Sequence, residues 1–342
     1  MATNKTYEFF IQWHLTERCN LRCNHCYQTG RNVEEMPLSG IYDVISEVSE
    51  MLSAWSENYD IYFSPSFNVT GGEPFLHQDI FKILEEIKRK EFDIYILSNG
   101  TLINRERAKR LLGLAVKGVQ VSIEGPENVH ESIRGKGSFY SSLEGIQNLL
   151  EAGIKVTLNV TLSEINADYF TDIVALSSSL GVHRLGFSRL VPSGRGKEFF
   201  NKMISKARAK EIYEKLYSLN INGLEITTGD PVASQMTIHS NENDSDSVPK
   251  GGCAAGISGL TLLPDGTIMP CRRLNIPIGN VRKDSLREVW VSSEVLQQLR
   301  NKEIYKGKCG ACRRWATCRG CRAIAYAHSG DLLAEDPQCF IS

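Results

Sequence analysis

Ten cysteines gathered towards the two ends of the chain constrain this sequence more than any other feature. Three lie within eight residues, and seven follow residue 250; the full set is Cys19, Cys23, Cys26, Cys253, Cys271, Cys309, Cys312, Cys318, Cys321 and Cys339. Residues 27–252 contain none. In an intracellular protein, clustered cysteines more often bind metal or do redox chemistry than form disulfides. The distribution therefore predicts separate metal sites on a cysteine-free scaffold.

Length and charge restrict the compartment and the partners of the chain. Its 342 residues allow one large domain and a smaller one. With 39 basic and 40 acidic residues and no helix-long basic stripe, we expect no nucleic-acid partner. No apolar run approaches the ~20 residues of a membrane span. The opening residues, MATNKTYEFF, lack the features of a signal peptide, so we expect a cytoplasmic protein.

Between the two cysteine groups, strand-like and helix-like segments alternate. Helical spacing of apolar residues is clear at Ile80, Ile83, Leu84 and Ile87. The alternation predicts an α/β fold with a parallel sheet, as a partial barrel or a doubly wound sheet. Six short segments rich in β-branched or aromatic residues are the predicted strands: Phe9–Leu15, Phe67–Thr70, Ile94–Ser98, Gly118–Ile123, Lys155–Thr161 and Arg184–Leu190.

The second half of the chain has a different character. The polar, acidic segment 241–246 predicts an exposed linker or loop. Residues 260–263 and 267–269, joined by a Pro-Asp-Gly turn, predict a hairpin. After residue 308, cysteines and glycines are too dense for an apolar core, so we expect metal to hold this tail together.

The first three cysteines, spaced C-x3-C-x2-C, predict an incompletely coordinated metal centre. A closed zinc site and a complete [4Fe–4S] cluster each require four protein ligands. Three thiolates leave one iron without a protein ligand, and an exogenous molecule can bind at such a position. The alternative is a structural zinc site completed by His25 or His14.

The stretch CNLRCNHCY resembles the signature loop of the radical S-adenosylmethionine (SAM) enzymes. The resemblance implies that three thiolates hold a [4Fe–4S] cluster whose fourth iron is chelated by SAM. In that family one electron from the cluster cleaves SAM into methionine and a 5′-deoxyadenosyl radical, which abstracts hydrogen. The resemblance covers roughly residues 9–200. It implies a partial (β/α)6 barrel with its chemistry at the C-terminal ends of the strands.

The same resemblance predicts five cofactor-binding residues: Gly71, Gly72, Glu73, Ser122 and Arg134. The first three match the GGEP loop, whose glycines are expected to let the backbone approach the methionyl part of SAM. Ser122 matches a position that contacts SAM in related enzymes. Arg134 matches an arginine thought to pair with the SAM carboxylate. Ser98 and Asn99 are further candidates for the pocket wall, and Arg189 for a contact with substrate or SAM.

The later cysteines resemble the SPASM extension of radical SAM enzymes, which carries two auxiliary [4Fe–4S] clusters. The resemblance implies one fully ligated cluster held by Cys309, Cys312, Cys318 and Cys339. It implies a second cluster, with an open iron, held by Cys253, Cys271 and Cys321. On spacing alone, two zinc knuckles are the alternative. Because thiolate ligation couples metal binding to folding, we expect residues 253–342 to lose their fixed structure without iron.

These features predict three regions: a radical SAM core barrel (1–225), a linker (226–252) and a SPASM domain (253–342). Sulfatase-maturing relatives have an acidic residue directly after the cysteine matching Cys271, whereas this chain has Arg272, which argues against formylglycine formation. We expect an oxidoreductase that matures a ribosomal peptide or protein. The first alternative is a haem-precursor enzyme that decarboxylates or removes propionate side chains. The second is a non-catalytic zinc or iron–sulfur scaffold.

Several partners follow from this interpretation. The substrate is expected to be a peptide or a small molecule, and a flavodoxin or ferredoxin is expected to supply electrons at low potential. We expect no peptide-recognition domain fused before the barrel, so a separate protein could supply that recognition. No residue is assigned as catalytic. His328, Glu335 and Asp336 lie near the tail cysteines but are expected to cap turns or face solvent.

Overall fold

The computed structural model describes residues 6–30, 33–237 and 249–341. Its strands form a single ten-stranded sheet. In chain order they are β1 Thr6–His14, β2 Tyr62–Thr70, β3 Asp93–Ser98, β4 Gly118–Ser122, β5 Val156–Leu162, β6 Arg184–Arg189, β7 Glu225–Thr227, β8 Gly259–Leu262, β9 Thr267–Met269 and β10 Gly279–Asn280.

The order of the strands decides between the two predicted sheet types. Across the sheet the order is β10-β9-β8-β1-β2-β3-β4-β5-β6-β7, and every neighbouring pair from β1 to β7 is parallel. A doubly wound sheet reverses its strand order at a switch point, whereas this one proceeds in a single direction. The predicted partial barrel is therefore confirmed.

Helices follow the strands in the alternation that the sequence predicts. They are α1 Leu38–Tyr59, α2 Ile80–Arg89, α3 Arg105–Gly113, α4 Glu127–Arg134, α5 Ser138–Glu151, α6 Phe170–Leu180, α7 Lys206–Ser218, α8 Ser234–Thr237, α9 Leu286–Ser292, α10 Glu294–Arg300, α11 Gly307–Ala311 and α12 Arg322–Ser329. No described helix is both long and apolar enough to cross a membrane. Because right-handed crossovers join consecutive parallel strands, the helices between β1 and β6 cover one face of the sheet.

Alternation along the central strands separates the core from the opposite face. In β5 the residues at 156, 158, 160 and 162 are fully buried, while Asn159 and Thr161 between them are partly exposed. In β4 the same alternation leaves Gln120 and Ser122 partly exposed. Successive side chains of a strand point to opposite faces. These four polar side chains therefore share the face away from the helices.

The C-terminal part of the chain is joined to the barrel through the sheet. β8 pairs in parallel with β1, and β9 turns back antiparallel to β8, which confirms the predicted hairpin. Residues 225–237, at the start of the predicted linker 226–252, form β7, a 3₁₀ turn and α8, and the predicted domain boundaries stay a prediction. The predicted loop 241–246 lies outside the described residues.

Candidate active site

A cavity opens at the C-terminal ends of the parallel strands. The ends of five consecutive strands contribute Thr70, Ser98, Ser122, Thr161 and Ser188 to its wall. Parallel strands in α/β folds bind ligands at this edge, where the loops after the strands converge. The loop that follows β1 brings all three cysteines of the N-terminal group to the same cavity. This cavity therefore lies at the C-terminal ends of the strands, where the family resemblance places the chemistry.

The GGEP loop holds the start of the cysteine loop by direct backbone contact. The Gly72 N–H donates to the Thr16 carbonyl at 2.6 Å, and the Glu73 N–H donates to the Arg18 carbonyl at 2.8 Å. A Cβ at Gly71 would lie 2.7 Å from the Thr16 oxygen, and one at Gly72 only 2.2 Å from the Arg18 oxygen. Both glycines line the cavity. The close approach of the two loops therefore requires that these residues have no side chains, and the approach of the same backbone to SAM stays a prediction.

The segment after β6 holds the other end of the cysteine loop. The Gly196 N–H donates to the Cys26 carbonyl at 2.9 Å. Gly194 has a positive φ of 57°, and a Cβ there would lie 2.1 Å from the Tyr27 carbonyl oxygen. The cysteine loop is therefore held by backbone contacts with two glycine-containing segments, the GGEP loop and the segment after β6.

Glu73 lies one layer behind the cavity wall. Its carboxylate is fully buried and accepts hydrogen bonds from the Ser98 hydroxyl at 2.9 Å and the Asn99 N–H at 2.9 Å. Burial raises the pKa of this carboxyl to about 7. Ser98 and Asn99 both line the cavity, as predicted. Glu73 thus orients two wall residues, and direct contact between Glu73 and SAM stays a prediction.

Ser122 and Arg134 both line the cavity, but Arg134 has a partner that the sequence analysis missed. The Arg134 Nε and Nη2 atoms donate to one oxygen of Glu124, and Nη1 lies 3.8 Å from the Cys23 sulfur. Glu124 follows the end of β4 by two residues and has no exposed surface. The signal available in the sequence was an acidic residue two positions after the strand that carries Ser122.

The donor groups around the sulfurs fit thiolates. Hydrogen-bond donors lie 3.4 Å from Cys19 (Leu21 N–H), 3.3 Å from Cys318 (Gly320 N–H) and 3.5 Å from Cys309 (Arg322 Nη2). Such donors to sulfur are a known feature of iron–sulfur sites. Burial raises the pKa of the Cys19 thiol to about 11 and that of Cys321 to about 12, so bound cations are needed to hold these sulfurs as thiolates.

The structure brings several of the C-terminal cysteines close to one another, and their division between two clusters stays a prediction. The Gln235 amide lies 3.5 Å from the Cys339 sulfur and 3.8 Å from the Cys318 sulfur. The charge of Cys339 raises the pKa of the Cys309 thiol, although burial raises that pKa more, so the two cysteines lie close together. Arg273 lies near both Cys271 and Cys321, and Cys253 lies near Cys321. Cys312, at the end of α11, stays a predicted ligand.

The geometry does not favour zinc at the N-terminal cysteines. Within the described ranges, no three His, Cys, Asp or Glu side chains converge on a single-ion site. The His25 Nε2 lies 3.3 Å from Glu124, and the His14 Nδ1 lies 3.4 Å from the Gln28 amide. Each histidine therefore has a partner at one ring nitrogen, whereas the His14 Nε2 and the His25 Nδ1 are buried without one.

Arg189 faces neither substrate nor SAM, which corrects the expectation for this residue. It is fully buried and forms ion pairs with Asp230 at 2.6 Å and Asp336 at 2.8 Å. Asp336 caps a turn, as expected, by accepting the Gln338 N–H at 2.9 Å, but it is buried and also accepts the Cys321 N–H at 2.7 Å. The pair therefore ties the end of β6 to the cysteine-rich tail. Its partners are 147 residues apart in sequence, so no local pattern indicates them.

Three further arginines line the cavity beside the cysteine sulfurs. Arg195, Arg272 and Arg273 line it, and no aspartate or glutamate does so among the described residues. The Nε atoms of Arg195 and Arg273 are buried without a hydrogen-bond partner. The Arg272 guanidinium lies 5.7 Å from the centre of the Tyr27 ring, and burial together with Arg273 lowers its pKa. The arrangement can bind an anion.

Comparison with known proteins agrees with this geometry. Residues 13–177 match the model of the radical SAM superfamily, and residues 253–322 match the SPASM iron–sulfur cluster-binding domain. An AdoMet-dependent heme synthase from Nitratidesulfovibrio vulgaris (strain Hildenborough) is 31% identical over 96% of this chain and 91% of its own length. Mycofactocin maturase MftC from Mycobacterium ulcerans is 28% identical over 96% of this chain and 87% of its own.

A solved structure has the same fold along almost the whole chain. Streptococcus suis SuiB, crystallised with its precursor peptide SuiA, superposes with a TM-score of 0.74 at 16% identity, over 98% of this chain and 76% of its own. The chain belongs to the radical SAM superfamily and carries a C-terminal SPASM domain. These two domains imply a SAM-binding [4Fe–4S] cluster and auxiliary [4Fe–4S] clusters as its cofactors.

Proposed function

We propose that this radical SAM/SPASM enzyme is an oxidoreductase that decarboxylates a propionate side chain of a haem precursor. The observation that carries the proposal is the cavity beside the cysteine loop. It presents Arg195, Arg272 and Arg273 without a carboxylate partner in the described part of the chain. A planar guanidinium suits bidentate binding of a carboxylate. Of the two main substrate classes, a haem precursor bearing several propionates brings the larger negative charge to this wall.

The similarity to heme synthases supports this substrate class. The relative from Nitratidesulfovibrio vulgaris shares 31% of its residues, a higher identity than the mycofactocin maturase, and the alignment covers both the barrel and the cysteine-rich domain. The proposed order of substrate classes is therefore the reverse of the one expected from sequence.

The residues of this chain bind and orient the substrate. When bound, SAM and the clusters supply a 5′-deoxyadenosyl radical that removes a hydrogen atom, and an acceptor for one electron. The arginines hold the carboxylate, so that the CH2 group attached to the ring, one carbon beyond the CH2 that bears the carboxylate, faces the cysteine loop and loses the hydrogen atom. Loss of one hydrogen atom and one electron from the propionate breaks the carbon–carboxyl bond, CO2 leaves and a vinyl group forms. A low-potential flavodoxin or ferredoxin is the proposed electron source.

The test uses anaerobically reconstituted enzyme with SAM, dithionite and Fe-coproporphyrin III deuterated in its propionate chains. We expect deuterium in 5′-deoxyadenosine and a porphyrin product that has lost CO2 and two hydrogens. Formation of 5′-deoxyadenosine without deuterium and with unchanged porphyrin would reject the substrate class and leave the family assignment intact.

Variants of the arginine wall sharpen the test. Arg273→Gln removes one charged donor, worth about 1.5–3 kcal/mol in binding, so the KM for the porphyrin should rise roughly tenfold or more. Uncoupled SAM cleavage should remain, because the cysteine loop is untouched. Arg287→Gln, at an exposed position on α9, is the matched control and should leave KM unchanged.

A peptide substrate is the second candidate, because the mycofactocin maturase is also similar over 96% of this chain. The carboxylates of a peptide could occupy the same arginines, with a separate protein supplying recognition. Deuterium transfer from a labelled peptide, together with none from the porphyrin, would establish this candidate in place of the first.

A further inference from the structure

A buried carboxylate beside the cysteine loop has no part in the proposed function. Glu124 is fully buried, and both of its oxygens are occupied. One accepts from the Nε of Arg134 at 2.9 Å and lies 3.3 Å from the Nε2 of His25; the other accepts from the Thr161 N–H at 2.9 Å. Although burial alone would raise the pKa of Glu124, Arg134 and His25 hold it well below its usual range. Glu124 is thus a fixed negative charge and not a proton carrier.

This carboxylate determines which way the Arg134 guanidinium faces. Nε and Nη2 both donate to Glu124, so that edge is occupied. The remaining end, Nη1, lies 3.8 Å from the sulfur of Cys23, the most buried cysteine of the loop. Breaking a buried ion pair leaves an uncompensated charge and costs several kcal/mol, so this orientation is strongly held.

The cysteine loop is also bonded to the helix that carries Arg134. The Asn24 N–H donates to the carbonyl of Ile133 at 2.9 Å, and the Asn24 amide donates to the carbonyl of Ser132 at 3.0 Å. These bonds join the residue after Cys23 to the last turn of α4, which ends at Arg134. The distance from guanidinium to sulfur is therefore set by backbone contacts as well as by Glu124.

We propose that Arg134 donates a hydrogen bond to the Cys23 thiolate of the SAM-binding cluster, and that Glu124 is the positioning residue that holds it there. Donors and positive charge at the sulfurs of a cluster favour its reduced form and raise its reduction potential. Arg134 then acts on the metal centre itself, in addition to any contact with SAM. The proposal does not depend on the identity of the substrate.

The first test measures the reduction potential of the N-terminal cluster in the holoenzyme by EPR-monitored titration. Its signal is identified among the three clusters as the one that changes when SAM is added, and the potential is then measured without SAM. This separates an effect on the cluster from an effect on SAM binding. We expect Arg134→Gln to shift the potential to more negative values. Arg134→Lys, which keeps the charge but loses the fork, should give a smaller shift in the same direction.

The second test is a double-mutant cycle on the same potential. In a Glu124→Gln background Arg134 is no longer held, so adding Arg134→Gln should shift the potential by less than half as much as in the wild type. Equal shifts in both backgrounds would reject the positioning role of Glu124. No shift, or a positive one, from Arg134→Gln alone would reject the hydrogen bond to Cys23.

Two measurements keep the proposal testable if Glu124→Gln loses its cluster. First, Glu124→Asp, which keeps the charge on a shorter side chain, can replace Glu124→Gln in the double-mutant cycle. In protein labelled with ¹⁵N-arginine, pulsed EPR of the SAM-responsive cluster should show a nitrogen coupling that Arg134→Lys removes; an unchanged coupling would overturn the proposal. The control is Arg89→Gln, which breaks an ion pair with Glu86 on the surface of α2 and should leave potential and coupling unchanged.

Discussion

The two cysteine regions of this molecule hold their sulfurs in different ways. The N-terminal loop lies on a finished α/β scaffold and is gripped by the backbones of two other loops, at Gly72 and Gly196. Among the C-terminal cysteines, Cys253 and Cys318 belong to the main apolar core, whereas Cys309 and Cys321 belong to two small apolar clusters. The N-terminal loop can therefore adopt its conformation before metal binds. The C-terminal cysteines depend on contacts that form only when the C-terminal segment has folded.

Buried arginines supplement the apolar packing of the C-terminal region. Arg319 and Arg322 are only 2% and 1% exposed. Arg319 donates to the carbonyls of Gly251 and Cys253, and Arg322 to those of Leu332 and Ala334. Each guanidinium thus cross-links two chain segments through backbone oxygens. Polar cross-links of this kind tolerate the loss of a partner poorly, because the remaining group stays buried and unpaired.

The largest expected effect comes from replacing one cysteine in each region, because the two replacements should affect different steps of the reaction. Cys23→Ala should reduce SAM cleavage at least about a thousandfold and lower the iron content from about twelve to about eight per chain, because one of three four-iron clusters is lost. In Cys321→Ala, SAM cleavage should fall much less than product formation. Iron analysis and 5′-deoxyadenosine assays measure both. Normal product formation by the Cys321 variant would contradict an auxiliary role for that site.

Removal of iron should separate the regions by folding. In the metal-free protein we expect amide hydrogens in residues 301–341 to exchange rapidly while β1 to β6 stay protected. The structure narrows the expectation for 253–342, because β8 is part of the main sheet and should keep its protection. Hydrogen exchange with mass spectrometry gives the comparison. Equal loss of protection in both regions would show that the scaffold also requires metal.

Breaking the ion pair between barrel and tail should have the next largest effect. Asp336→Asn leaves the buried Arg189 with one carboxylate fewer, at a cost of about 3–5 kcal/mol in the free energy of unfolding. We expect the auxiliary clusters to be lost at lower denaturant concentration, with the SAM-responsive cluster retained. Visible absorbance and EPR during a denaturant titration distinguish the two, and simultaneous loss of all clusters would contradict the separation.

A smaller effect is expected from filling the contact at the GGEP loop. In Gly72→Ala the new Cβ would lie 2.2 Å from the Arg18 oxygen, so the two loops must separate, at roughly 1–3 kcal/mol. The N-terminal cluster should then be incorporated less completely. The matched control is Gly113→Ala at the end of α3, where a Cβ meets nothing within 4 Å and should stabilise by up to about 1 kcal/mol. Full iron occupancy in Gly72→Ala would contradict the steric role.

Local patterns predict much of the scaffold. The predicted strand Gly118–Ile123 differs from β4 by one residue, because alternating apolar residues between glycine and polar turns define it. The 22-residue helix α1 was missed, although Ile41, Val44, Ile45 and Val48 have helical spacing. The prediction of a barrel depended on the family resemblance, because periodicity alone could not distinguish a barrel from a doubly wound sheet.

Long-range partners account for what the sequence could not predict. Glu124 positions Arg134, and Arg134 is 111 residues away in the chain from Cys23. Arg189 was expected at a ligand because strand ends usually face the site, but its two carboxylates come from distant segments. The cysteines were easier to identify, because their spacing is itself the signal.

The pairing of β1 has a consequence for synthesis on the ribosome. β1 shares nine residue pairs with β2 and four with β8, so one of its edges lacks its neighbour until residue 259 has been made. A nascent chain exposes that edge while most of the protein is being translated, and open strand edges recruit other chains. Expressing the first 237 residues alone would make this exposure permanent, so co-expression of both halves is the safer way to divide this enzyme.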